Sequence, residues 1–195
     1  AIVAKDSHDD GDTPVSTKCK ELQAANGVDT FTIDSGTYAI VAAFVDDGVQ
    51  LIDISDPAAI DCIAKKGDNG SRELDGAIDV DIFTIGSSTY AIVAADVDDG
   101  VQILDVSDPT NINVKDSATD GVGGFTVLDG AYGVDTFVIG SSTYAIVTSQ
   151  DDDGVQMIDI SDVDNIIARD AETDGVNGFT ELDGASSVET FTCGS

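Results

Sequence analysis

The chain has very little basic or imidazole chemistry. It carries 8 Lys and Arg against 38 Asp and Glu, with a single His, and its formal net charge is −30. A charge of this sign repels nucleic-acid phosphates and anionic membrane surfaces, so neither is an expected partner. His8 stands among acidic residues near the start, which leaves no material for a Ser-His-Asp triad or a histidine metal site.

Other signatures are missing as well. The sequence has no G-x-S-x-G elbow, P-loop or dinucleotide fingerprint. It has no apolar run long enough to cross a bilayer, so we expect no membrane insertion, and no signal-peptide pattern. It begins with Ala rather than Met, which favours a processed chain or a part of a longer repeat protein. These absences predict a protein that is not an enzyme, with a hydrolase on a repeat scaffold as the less favoured alternative.

Cysteine is scarce. Cys19, Cys62 and Cys193 have no metal-ligand spacing. They are candidates for one disulfide plus a free or intermolecular thiol, and burial as three small apolar side chains is the alternative.

What the chain has in abundance is repetition. One 23-residue phrase occurs three times: SGTYAIVAAFVDDGVQLIDISDP, SSTYAIVAADVDDGVQILDVSDP and SSTYAIVTSQDDDGVQMIDISDV. A shorter phrase, Val-Asp/Glu-x-Phe, recurs at Val28, Val80, Val134 and Val188, at spacings of 52, 54 and 54 residues. We therefore predict a single repeat domain over 1–195, with full repeats at 28–79, 80–133 and 134–187 and part-repeats at 1–27 and 188–195.

Each full repeat has the pattern of four strands. In the first copy they are Val28 to Ile33, the apolar run Tyr38 to Ala43, Val49 to Ile54, and a weaker fourth strand, Ile60 to Ala64. No stretch has a sustained 3.6-residue period, so the predicted class is all-β. Four antiparallel strands that recur every 54 residues or so are typical of a β-propeller blade. A β-solenoid-like stack is the alternative.

The phrase YAIVAADVDDGVQILDVSDP resembles the LVIVD repeat, which is found in β-propeller modules of secreted and cell-surface proteins of bacteria and archaea. The resemblance covers the three full repeats. It implies a β-propeller array and an extracellular or cell-surface location.

Acidic turns between the second and third strands are the candidate metal sites. Calcium takes six to eight oxygen ligands, several of them carboxylates, and Gly lets the chain turn tightly. The spacing is not that of an EF-hand, but it predicts Ca²⁺ at these turns, with solvated Asp-Gly hairpins as the alternative. The candidate ligands are Asp46, Asp47, Asp96, Asp98, Asp99, Asp151, Asp152 and Asp153.

Two further sets of acids recur in phase. One set is followed by Gly or Asn and predicts a repeated turn; it comprises Asp10, Asp68, Asp120 and Asp174. The other lies in the first strands, and its members would bind a cation if those strands lined a central axis. It comprises Asp29, Asp81, Asp135 and Glu189. Separately, Asn69-Gly70-Ser71 is a sequon, so Asn69 is the predicted glycosylation site.

The two ends of the sequence correspond to incomplete repeats. Residues 1–11 match a fourth strand and residues 188–193 match a first strand, with no second and third strand between them. Because unpaired strand edges recruit partners, we expect a structural protein that self-assembles through these ends into a ring or filament. The alternative is a monomeric module that binds a glycan or a surface protein. Tyr132 is the one non-repeated aromatic residue that hints at it.

Overall fold

A computed structural model describes Cys19 and residues 22–193. This part of the chain forms twelve strands in three separate four-stranded antiparallel sheets, and each sheet is built by one repeat with its strands in sequence order. Among the described residues no helix is long and apolar enough to span a bilayer. His8 and Asp10 lie outside the described residues.

The strand bounds follow the repeat. Blade 1 consists of β1 (Ala25–Ile33), β2 (Gly36–Ala43), β3 (Gly48–Asp53) and β4 (Asp61–Gly67). Blade 2 consists of β5 (Ala77–Ile85), β6 (Ser88–Ala95), β7 (Gly100–Asp105) and β8 (Asn113–Thr119). Blade 3 consists of β9 (Ala131–Ile139), β10 (Ser142–Ser149), β11 (Gly154–Asp159) and β12 (Ile167–Thr173).

The predicted all-β class and four-strand unit are confirmed, but two predicted bounds are too tight. The first strand of each blade starts three residues before the predicted Val, because a bulge at that point keeps the extra residues paired with the second strand. The fourth strand runs three residues further than predicted, for example to Gly67. These additional residues are polar and gave no strand pattern in the sequence, because hydrogen bonding to β3 holds them in the sheet without an apolar face.

The three sheets pack face to face, and their first strands lie innermost. One core joins blades 1 and 2, including Ile40 and Leu51 on one side and Leu74 and Leu104 on the other. A second core repeats this packing between blades 2 and 3. Strand β5 contacts both β1 and β9. This is the arrangement of propeller blades around an axis, and it rules out the solenoid alternative, whose repeats stack along one direction instead.

A buried glutamine in the third strand of each blade supports a bulge in the fourth strand. In blade 2 the register of β7 and β8 shifts between Gln102 and Leu104. The Gln102 amide donates to the carbonyl of Asp116 at 3.0 Å and to that of Lys115 at 3.3 Å, which the shift leaves without ladder partners. Gln50 and Gln156 make the equivalent bonds to Ala64 and Asp170. The three glutamines are almost completely buried.

We expect Gln102→Leu to lower the free energy of unfolding by about 1–3 kcal/mol, because it leaves buried carbonyls without a donor while it keeps the side-chain volume. Urea denaturation followed by circular dichroism measures the change. Gln23→Leu, at an exposed position, is the matched control and should change stability by less than about 0.5 kcal/mol. An equally small effect of Gln102→Leu would contradict the proposed role of the amide.

Candidate functional site

The first Asp of each Asp-Asp-Gly turn caps the loop that enters its own blade. Asp98 Oδ2 accepts hydrogen bonds from the backbone N–H groups of Leu74 and Asp75, at 2.8 and 2.7 Å. Asp46 receives the same pair from Leu22 and Gln23. In blade 3, Asp152 accepts from the N–H of Asp129 at 3.0 Å. These carboxylates satisfy backbone donors that no strand pairs.

The second Asp of each turn connects neighbouring blades. Asp47 Oδ1 accepts from the N–H of Gly76 at 3.1 Å, and Asp99 Oδ1 accepts from that of Gly130 at 3.0 Å. Asp153 makes the same bond with Gly184 at 2.8 Å. Each of the three Asp residues has a left-handed backbone, with φ of 52 or 53°. Asp tolerates this conformation better than most residues, which explains its place in the turn.

The first-strand acids also connect neighbouring blades. Asp29 accepts from the N–H of Ile82, and Asp81 from that of Thr136, each at 2.9 Å. Asp135 accepts from the N–H of Thr190. The carboxylates therefore lie along the inner strands and bind the next strand's backbone. Burial raises the pKa of Asp81 to about 6, and the nearby charges of Asp29 and Asp135 add to the shift.

At each of the first two blade junctions, the second Asp of the turn meets another carboxyl group. Asp47 faces Asp75, and Asp99 faces Asp129, close enough for the two side chains to share a hydrogen bond. Burial, the contact with Asp47 and other nearby acids raise the pKa of Asp75 to about 6. The pKa of Asp129 is raised by burial and by Asp99. Sequence analysis missed both partner acids, although the recurring Leu-Asp-Gly phrase was their signal.

The candidate calcium ligands are thus separated by role. Four of them occupy the two acid pairs or the loop caps of blades 1 and 2: Asp46, Asp47, Asp98 and Asp99. In blade 3, Asp152 is again a loop cap and Asp153 again binds the following glycine. Asp151 is exposed and Asp96 is half-buried. Across Cys19 and residues 22–193, no three or more His, Cys, Asp or Glu side chains are grouped so as to hold a metal ion. Calcium binding stays a prediction.

The recurring Asp that follows the fourth strand shapes the connection to the next blade, as predicted for a turn. Asp120 Oδ1 accepts from the N–H of Leu128 at 3.1 Å, and Asp174 Oδ1 from that of Leu182 at 2.9 Å. In the shorter first connection Asp68 Oδ2 binds the N–H of Gly70 instead, and its Oδ1 is buried without a hydrogen-bond partner. Asn69 lies exposed in this connection, where a glycan has room.

Two of the three cysteines form a disulfide and the third is a free thiol. Cys19 and Cys62 form a disulfide whose Cα atoms are 5.3 Å apart, in the usual range. It ties the segment before blade 1 to β4, and both residues are buried beside Ile52. Cys193 is a free, exposed thiol. Disulfides are typical of proteins from oxidising compartments.

A cleft at the start of the inner strands is the other feature that sequence analysis largely missed. It consists of two adjoining hollows of about 280 and 200 Å³. Both are lined by Asn26, Ile78 and Tyr132, and the larger one also by Phe44 and Asp96. Tyr132 was the single hint in the sequence. The better signal is that these are positions where the copies of the repeat disagree.

Structural comparison places the fold among β-propeller proteins. The exo-β-1,3-galactanase of Phanerochaete chrysosporium matches with a TM-score of 0.55 at 12% identity, over 89% of this chain and 43% of that one. A bifunctional GH43-CE protein of Bacteroides eggerthii matches with a TM-score of 0.55 at 9% identity, over 77% of this chain and 20% of that one. A GH32 β-fructofuranosidase of Bombyx mori gives a TM-score of 0.50 at 11% identity, over 79% and 37%. The chain spans less than half the length of each of these proteins.

At such identities the likeness is one of fold alone. No protein-family model matches the sequence, and no curated protein matches it by sequence comparison. The propeller architecture implied by the LVIVD resemblance is therefore confirmed, whereas membership of that family is not shown.

We expect Asp99→Ala to lower the free energy of unfolding by about 2–4 kcal/mol. The substitution removes the acceptor for the Gly130 N–H and places Ala in a left-handed conformation. Asp99→Asn is the matched variant: it keeps an acceptor oxygen, tolerates the conformation and relieves the repulsion from Asp129. Its stability in urea should equal or exceed that of the wild type. Equal losses in both variants would contradict the hydrogen-bond role.

The raised pKa values of Asp75 and Asp81 predict stability that depends on pH. As pH rises from about 4 to about 6, these groups ionise in the unfolded chain before they ionise in the folded one. The free energy of unfolding should therefore fall across this window, and wild-type protein should resist urea better at pH 5 than at pH 7. The measurement is made in chelator, so that no divalent cation neutralises the pairs.

Asp75→Asn should flatten this pH dependence and raise stability at pH 7. Asp108→Asn is its control: hydrogen bonds from Thr110 lower the pKa of Asp108, so this group is already ionised throughout the window. A slope between pH 5 and 7 that Asp75→Asn leaves unchanged would overturn the assignment.

Proposed function

We propose that this chain is a non-enzymatic, extracellular structural protein that assembles head to tail through its incomplete blades, with Ca²⁺ bound weakly at the acidic blade junctions. The observation that carries the proposal is a pair of open blade faces whose repeat equivalents are buried. We call the face of a blade that packs on the next blade along the chain its trailing face, and the opposite one its leading face.

The trailing face of blade 3 has apolar residues without a complete cover. Phe179 is 42% exposed, whereas its repeat equivalent Phe125 is 7% exposed in the core between blades 2 and 3. Phe137, Ile146 and Met157 are likewise only half-buried, although the same positions in blades 1 and 2 are buried. Burial of this face against another leading face would add apolar contact of the kind that already joins the blades.

The leading face of blade 1 is open near the axis. Val28 is 61% exposed, whereas Val80 and Val134 at the same repeat position are 4% exposed. Further out, Cys19 and Leu22 pack on this face beside Ile52 and Cys62. Within the chain, the trailing faces of blades 1 and 2 already pack on leading faces of nearly the same sequence. A second copy therefore offers the surface that the trailing face of blade 3 matches.

Residues 182–190 begin a fourth blade. Gly184 and Thr190 donate their N–H groups to Asp153 and Asp135, as the equivalent residues do at the earlier junctions. Among the described residues no strand pairs with this segment on its outer side. An unpaired edge beside an apolar face favours strand addition from another chain. Head-to-tail contacts of this type form a ring if the rotation closes and a filament if it does not.

The acid pairs motivate the calcium part of the proposal. Two ionised carboxyl groups in contact repel each other unless a proton or a cation lies between them. Each pair offers two carboxyl groups, so backbone carbonyls and water would supply the remaining oxygens that Ca²⁺ requires. Affinity in the range of about 10⁻⁴–10⁻³ M, as in extracellular modules, is what such sparse sites provide. An extracellular location also agrees with the disulfide and with the strongly acidic composition.

Light scattering and negative-stain microscopy in millimolar Ca²⁺, and then in chelator, test the proposal. We expect rings or filaments in Ca²⁺ that dissociate in chelator. Phe179→Asp should give monomers in both conditions, because it places a charge in the contact. Val122→Asp, which alters a residue 63% exposed in the preceding connection, should still assemble.

Two outcomes contradict separate parts of the proposal. A wild-type chain that is a compact monomer in both conditions would overturn the assembly. Assemblies that persist unchanged in chelator would contradict the calcium part of the proposal and leave the part that concerns the contact between blades.

A further inference from the structure

The copies of the repeat differ in residue type at two positions that meet in one place. The first is occupied in turn by Asn26, Ile78, Tyr132 and Ser186, and the second by Phe44, Asp96 and Gln150. The residue before the first position is Ala in every copy, and the first Asp of the acidic turn, two residues after the second position, is also unchanged.

Six of the seven residues line one or other hollow of the cleft, and Phe44, Asp96 and Tyr132 together line the larger hollow. These three come from three different blades, so the cleft exists only where the blades converge. Ala24 also lines it, with a left-handed φ of 57°, where the other copies have Gly. Backbone strain of this kind is concentrated at functional sites.

The chemistry of the larger hollow is that of two aromatic rings and one carboxylate. Asp96 is half-buried, and within the described part of the chain its carboxylate accepts no hydrogen bond, unlike the neighbouring acids Asp98 and Asp99. Phe44 and Tyr132 are half-buried on the edge of the core between blades 2 and 3. A carboxylate without a partner beside aromatic faces suits an organic cation, which the rings attract through their quadrupoles.

We propose that this cleft binds a small organic cation, an ammonium or guanidinium group, with Asp96 as its counter-ion and the rings of Phe44 and Tyr132 as its walls. The net charge of −30 raises the local concentration of any cation and so assists the encounter. The group can arrive as a free small molecule or as a Lys or Arg side chain of a protein.

Competing ligands fit less well. A calcium ion needs six to eight oxygens, and the larger hollow contains one carboxylate. At about 280 Å³ the hollow is smaller than the ~300–1,000 Å³ typical of pockets for drug-sized ligands, which argues against an oligosaccharide. Binding of a monosaccharide is one of the outcomes that the experiment distinguishes.

The experiment titrates the whole chain with choline, in chelator, and follows the ring protons of Tyr132 by NMR. The neutral isostere 3,3-dimethylbutan-1-ol has the same shape without the charge and is the matched ligand. Nα-acetyl-arginine amide and Nα-acetyl-lysine amide distinguish a free quaternary ammonium from a protein side chain. Galactose and glucose represent sugars.

We expect saturable shifts with at least one of the cations and none with the neutral isostere. Asp96→Asn and Tyr132→Ala should each weaken binding by about tenfold or more, while Tyr132→Phe keeps the ring and the binding. Asp108→Asn removes the same charge from an exposed position outside the cleft and should weaken binding by about twofold at most.

Three results would overturn the proposal. One is the absence of binding by every cation to a wild-type chain that is folded by circular dichroism. The second is equal binding of choline and its neutral isostere, or binding of a sugar when none of the cations binds. The third is an equal loss in Asp96→Asn and Asp108→Asn, which would mean that diffuse negative charge attracts the ligand and that the cleft does not.

Discussion

The blade junction depends on hydrogen bonds from backbone N–H groups to carboxylates across it. At each junction one Asp from a tight turn binds a glycine of the following connection, and one Asp from an inner strand binds the following inner strand. These bonds fix the angle and register of neighbouring sheets, which apolar packing alone leaves adjustable. Much of the chain's acidity is thus part of its construction, and the repulsion between acids is a consequence that a proton or a cation relieves.

The same construction underlies the proposed assembly. A trailing face is an apolar sheet surface with acceptor carboxylates along its inner edge, and in blades 1 and 2 it is covered by a leading face. Blade 3 presents such a surface with only the start of a fourth blade against it. Assembly through that surface needs no new type of contact, because it repeats the junction that has already formed twice.

Positions that are identical in all repeats and positions that differ between repeats have different roles in this fold. The invariant Asp, Gly and Val positions maintain the junctions through packing and hydrogen bonds. The cleft near the axis uses the positions that are free to differ, and it combines residues of all three blades, such as Phe44, Asp96 and Tyr132. A repeat scaffold can hold a single asymmetric site in this way without loss of its common framework.

The sequence by itself determined the all-β class, the four-stranded unit and the phase of the repeat, because local periodicity and turn chemistry specify strands directly. It also located the acidic turns, in which Asp46 and Asp98 are loop caps and Asp47 and Asp99 are links between blades; calcium at these turns stays a prediction. Only the tertiary structure decided that Asp75 faces Asp47, that Cys19 rather than Cys193 pairs with Cys62, and that Tyr132 meets Asp96. The approach of Asp75 to Asp47 and of Tyr132 to Asp96 depends on the angle between blades, and the disulfide depends on how Cys19 packs against blade 1. No local pattern encodes these distances.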